Sequence, residues 1–70
     1  MKNLRADKKI IIDLSGPDGN AYALIGMAMR FARQLGIDSK EVTSKMTSGD
    51  YEHLTLTFNE YFDNYVTLKN

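Results

Sequence analysis

The chain predicts an α+β fold in the order strand, helix, short helix, helix, strand, with the helices packed on one face of two short terminal strands. Three observations carry that prediction. "KKIIIDL" places Ile10, Ile11 and Ile12 between charged flanks near the N-terminus. Apolar residues from Ala21 to Leu35 recur at helical spacing. Two further cap signals and an aromatic stripe then lead to "YVTL" near the C-terminus.

The isoleucine run is short, β-branched and bounded by turn residues, which reads as a strand buried on both faces. Ser15 to Gly19 break it: Pro17 fixes φ and lacks an amide donor, and Gly16 and Gly19 admit angles closed to other residues. From Asn20 the period changes. Ala21, Leu24, Ala28, Phe31 and Leu35 form one stripe, widened by Ile25 and Ala32. Polar positions (Arg30, Arg33, Gln34) enter only in the second half, so the first half is expected to be buried nearly all round. Gly26 costs about 1 kcal/mol against alanine inside a helix. That cost anticipates a close neighbour against the small surface of Gly26, Ala28 and Ala32. Gly36 is placed to end the helix in the left-handed conformation.

Asp38 and Glu41 have capping-box spacing, with Ile37 and Val42 as a hydrophobic staple, and predict a short helix over about 39–46. Thr47 and Asp50 repeat the box, with Met46 and Tyr51 as the staple pair and Ser48 as the other candidate cap. Tyr51, Leu54, Phe58, Tyr61 and Phe62 then follow helical spacing. "HLTLTF" also alternates like a strand, but a three-turn aromatic stripe with a start signal favours helix. Asp63 and Asn64 make a turn before the closing strand. Residues 1–7 read as a flexible tail and 8–70 as a single domain.

Seventy residues without cysteine bury only about 60% of the surface the unfolded chain exposes. Disulfides and thiolate zinc sites are excluded. Self-association into a dimer or higher homo-oligomer is therefore expected, the more so because two strands alone make a poor sheet in water. Nine Lys plus Arg balance nine Asp plus Glu, so nucleic-acid binding is not expected. The basic cluster of Lys2, Arg5, Lys8 and Lys9 reads as solvated tail. The apolar run Ala21 to Met29 is too short for a bilayer, which needs roughly 20 residues. No secretion signal precedes it, and a cytoplasmic protein is expected.

Two segments carry the site candidates. In "SGPDGNA", Gly16 and Gly19 leave room for a phosphate at a helix start, with Ser15 and Asn20 as hydrogen-bonding side chains. The pattern is neither a Walker motif nor a dinucleotide fingerprint. It also reads as a Pro-Asp-Gly turn capped by Asn20. In "TSGDYEH", Ser48, Gly49 and Asp50 either complete the same pocket or form an ordinary cap. Arg30 and Arg33, one turn apart, suit a phosphate, a partner carboxylate or solvent. A surplus tyrosine such as Tyr22 or Tyr65 suits base stacking. His53 has no triad companion, since Ser48 and Asp50 are shaped like a cap. Nothing in the spacing of Asp13, Asp18, Asp50 and His53 demands a cation. Neither a cofactor nor an enzymatic activity is expected.

The segments "SGPDGNA", "MTSGDY" and the closing "F…YF…YV.L" resemble those of a group of short proteins of uncharacterised function encoded by phages, prophages and bacteria. The likeness runs from about Ile11 to Leu68. It implies a mobile-element setting and brings no residue roles. In that setting some small proteins resemble homo-oligomeric sponges that sequester phosphorylated or cyclic-nucleotide immune signals, and others block a host defence complex directly; the analogy is one of setting, not of motif. The first role suits two glycine-bearing helix starts with few catalytic groups; the second needs only a surface.

Overall fold

A computed structural model describes residues 7–69. Of the expected N-terminal tail only Asp7 falls inside that range; Lys2 and Arg5 lie outside it. The elements follow the expected order: β1 (Ile10–Asp13), α1 (Ala21–Leu35), α2 (Ser39–Met46), α3 (Tyr51–Phe62) and β2 (Val66–Lys69). A 3-10 turn at Pro17–Gly19 joins β1 to α1. β1 and β2 pair in parallel, with Ile10 opposite Val66 and Asp13 opposite Lys69. Parallel strands need a long crossover, and the three helices supply it.

Local chemistry sets the helix limits. Asn20 caps α1 by accepting from the Ala23 amide, and Gly36 ends it at φ 73°. Asp38 caps α2 through the Lys40 amide. Glu41 does not complete a reciprocal box but turns to Lys45 one turn on, at 3.2 Å. The cap of α3 is Asp50, which accepts from the His53 amide; neither Thr47 nor Ser48 serves there. Their hydroxyls donate backwards, Thr47 to the Thr43 carbonyl and Ser48 to the Lys45 carbonyl, both at 2.8 Å. They satisfy the carbonyl end of α2, where backbone acceptors would otherwise lack donors. Tyr65 belongs to the turn rather than to β2, because its amide donates to the Phe62 carbonyl.

The core joins Leu24, Ala28, Phe31 and Ala32 of α1 to Val42 and Met46 of α2 and to Leu54, Phe58 and Phe62 of α3. Ile12 and Val66 close it from the sheet. Phe31, Phe58 and Phe62 sit with ring centroids 5.1–6.2 Å apart, each pair tilted or edge-on. Thr57 is buried with them.

Two burial expectations fail within one chain. Ile12 is 2% exposed, but Ile11 on the opposite face is 66% exposed, so helices cover only one face of β1. The first half of α1 is likewise open on one side, where Tyr22 is 87% exposed. A Cβ at Gly26 would meet nothing within 4 Å. Among the described residues no neighbour accounts for this glycine. Gly26→Ala should therefore stabilise the isolated chain by about 0.5–1 kcal/mol, read as a rightward shift of the urea midpoint. An unchanged or lower midpoint rejects the open-space account.

Candidate functional site

The glycine turn is held from inside. The Asp13 carboxylate accepts from both the amide and the hydroxyl of Ser15, at 2.9 and 2.6 Å. Those bonds, aided by Lys69 across the strand pair, keep the Asp13 carboxyl below the usual carboxylate range. Gly16 leaves ordinary space, its nearest contact being the Asp13 carbonyl oxygen at 3.7 Å from an added Cβ. Gly19 is buried, and a Cβ there would collide with the Leu14 backbone. Its glycine thus answers to packing beneath the turn. The Asn20 side chain is engaged with the Ala23 amide at 2.8 Å.

The second segment is equally self-satisfied. Asp50 accepts from the His53 amide at 2.9 Å. The His53 ring packs on Gly49, whose added Cβ would lie 2.8 Å from Cγ. His53 Nε2 is 2.9 Å from the Lys45 carbonyl oxygen and 3.0 Å from Ser48 Oγ. A carbonyl only accepts, so this network assigns the proton to Nε2. Ser48 donates to the same carbonyl. The imidazole therefore presents no lone pair to the Ser48 hydroxyl, and the pair pins the corner between α2 and α3 instead of activating a nucleophile.

The two helix starts do lie together. The Tyr51 hydroxyl, in the first turn of α3, donates to the Gly19 carbonyl across 32 residues of sequence. The phenol ring reaches between them, and a phosphate at either start would also have to displace a cap already in place.

Open space lies one face away. A hollow of about 190 Å³ is bounded by Ile10, Ile11 and Ile12 of β1, Met27, Arg30 and Phe31 of α1, and Asp18 of the turn. A second of about 330 Å³ adjoins it through Asp18, Met27 and Arg30 and continues past Tyr22, Ala23 and Gly26. The larger of the two reaches the lower end of the range of small-ligand sites. Together their walls are polar and apolar in about equal measure, with Asp18 and Arg30 as the charges and a tyrosine at the far rim.

Of the residues singled out by sequence, Arg30 lines both hollows. Neither hollow is lined by Ser15, Gly16, Gly19, Asn20, Ser48, Gly49 or Asp50. Arg33 is exposed in the last turn of α1, where a cation complements the carbonyl end of the helix. Asp13, Asp18, Asp50 and His53 do not converge: among the described residues no group of three or more potential metal ligands forms. The groove has its own sequence signal. Tyr22, Gly26 and Arg30 are spaced four apart, on a helix face other than that of the core stripe.

Among the described residues no helix is long and apolar enough to cross a membrane. Family models, curated proteins and solved structures were compared with the chain, and none matches.

Proposed function

We propose that the protein is a non-enzymatic binding protein that acts as a homo-oligomer and holds a small phosphorylated molecule at a junction between copies. One observation supports this above the others. Arg30 lies on the shared wall of two adjoining hollows, with Tyr22 on the rim and no side chain at Gly26 between them. A guanidinium pairs bidentately with phosphate oxygens. An exposed tyrosine ring offers a face to a nucleobase. Asp18 accepts from an amino group or a ribose hydroxyl. The resemblance to phage and prophage proteins suggests phosphorylated or cyclic-nucleotide immune signals as the ligand class, sequestered in the host cytoplasm.

Thermal-shift and native mass spectrometry measurements with cyclic dinucleotides and ADP-ribose test this reading. A ligand at one hundred times its dissociation constant stabilises the folded state by about 2.7 kcal/mol. Arg30→Ala should remove that shift and leave the ligand-free midpoint in place, because Arg30 is exposed and outside the core. Absence of any shift across the panel at millimolar ligand rejects it.

A different observation favours a second reading, an interaction module that blocks a host defence complex. Leu56 on α3 is 58% exposed, an apolar side chain away from the groove. Pull-down from host lysate would return one dominant partner that Leu56→Glu releases. An empty pull-down removes this reading.

A further inference from the structure

Among the described residues the edge of β1 away from β2 carries no partner strand; this edge is chemically complementary to itself, and we infer that it pairs with the β1 edge of a second copy, antiparallel, about a two-fold axis at Ile11. The backbone supplies the first argument. The amides of Ile10 and Leu14 donate to the Tyr65 and Lys69 carbonyls, so even-numbered residues of this strand turn their backbone groups to β2. The N–H and C=O of Ile11 therefore point away from β2, at the free edge. Ile11 on the axis makes a hydrogen-bonded pair with its own copy, each residue exchanging both bonds. A bare strand edge with exposed apolar side chains is what soluble proteins avoid.

Side chains select the register. Lys9, Ile11 and Asp13 share the sheet face away from the helices, and all three are exposed. With the axis at Ile11, each Lys9 stands opposite the second copy's Asp13, and the two Ile11 side chains cover each other. Moving the axis to Ile12 sets Ile11 against the second copy's Asp13. Moving it to Ile10 sets Ile11 against the second copy's Lys9. Only the Ile11 axis joins opposite charges and like apolar groups, and cross-strand pairs of both kinds stabilise a sheet. The two-stranded sheet then becomes four-stranded, in the order β2, β1, β1, β2, closed by an isologous contact.

The pairing also bears on the groove. The smaller hollow lies against Ile10, Ile11 and Ile12, so the two copies' hollows adjoin across the axis with an Arg30 beside each. Two arginines related by a two-fold suit a ligand with two phosphates. Only this consequence rests on the binding reading above; the strand pairing needs no ligand.

Sedimentation velocity of the full chain without ligand is the test, with circular dichroism to verify folding. The wild type should sediment as a dimer at micromolar concentration. Ile11→Lys should sediment as a monomer with an unchanged helical spectrum, since the side chain lies outside the core. Lys9→Glu should weaken the dimer roughly tenfold by placing like charges opposite one another, and Asp13→Lys at least as much, since it also removes the acceptor of the two Ser15 bonds. An equimolar mixture of these two variants should recover it, because every cross-strand pair is then again of opposite charge. A monomeric wild type, an oligomer that survives Ile11→Lys, or a mixture no tighter than its components overturns the pairing. A dimer that follows this pattern but takes up no cyclic dinucleotide supports the pairing while rejecting the ligand.

Discussion

Phe58→Ala should cost the protein a large part of its folding stability at 25 °C. Phe58 is 0% exposed and lies 5.1 Å from Phe62 and 6.2 Å from Phe31, ring centre to ring centre. Truncating a buried phenylalanine costs about 3–5 kcal/mol, from lost transfer energy and from the cavity left behind. At roughly 0.05–0.15 kcal/mol per residue, a chain of this length has a total stability of only about 4–10 kcal/mol. The loss is therefore at least about a third of the whole. Neighbouring rings cannot simply collapse into the gap, because Phe31 and Phe62 are themselves fixed by α1 and by the end of α3. Urea denaturation followed by circular dichroism should show the cooperative transition moved far toward zero denaturant. Phe58→Leu, which keeps most of the volume, should retain a cooperative transition. A Phe58→Ala midpoint within a few degrees of wild type on heating would disprove the central place of this ring.

Gly19→Ala should destabilise by about 2–3 kcal/mol, the cost of forcing atoms into filled space. The obstacle is the Leu14 backbone, which cannot swing aside as a side-chain tip can. Relief would require the turn to lift off the end of β1. That movement would strain the Tyr51 bond to the Gly19 carbonyl and hence the seat of α3. Gly16→Ala is the paired control: its added methyl meets only ordinary contact at 3.7 Å, and its φ of −100° suits any residue. If both glycines served an incoming phosphate, the two substitutions would leave stability alike and impair binding alike. The geometry predicts instead a large stability loss at Gly19 and little at Gly16, measured by urea denaturation. Equal midpoints for the two variants would overturn that assignment.

The candidate site was less legible than the fold. "SGPDGNA" and "TSGDYEH" stood out because glycines beside cap residues resemble anion-binding loops. Yet the same composition builds a helix start whose acceptors are its own side chains, as Asn20 and Asp50 are. Composition does not distinguish the two, since both need small residues and a side-chain oxygen. The groove was written in a weaker signal, the spacing of Tyr22, Gly26 and Arg30 along α1. Gly26 looked like a contact within the fold, but the space beside it is open. The isoleucine run carries the same lesson. Three β-branched apolar residues in succession predict burial on both faces, whereas one chain covers only the Ile12 face. The proposed pairing of two β1 edges would cover the Ile11 face that one chain leaves exposed.

By itself the sequence determined the element order and most boundaries, namely the Asn20 cap, the left-handed stop at Gly36, the Asp38 start and the helical state of the aromatic stripe. These depend on groups within about four residues of one another, and a linear pattern records such short-range interactions directly. Tertiary structure alone decided that β1 and β2 run parallel, that Gly19 rests on Leu14, that Tyr51 reaches Gly19, and that among the described residues one side of α1 and one edge of β1 remain open. Those outcomes depend on how three helices share one small core. The packing of distant side chains, rather than any local preference, selects among the arrangements that the same elements permit.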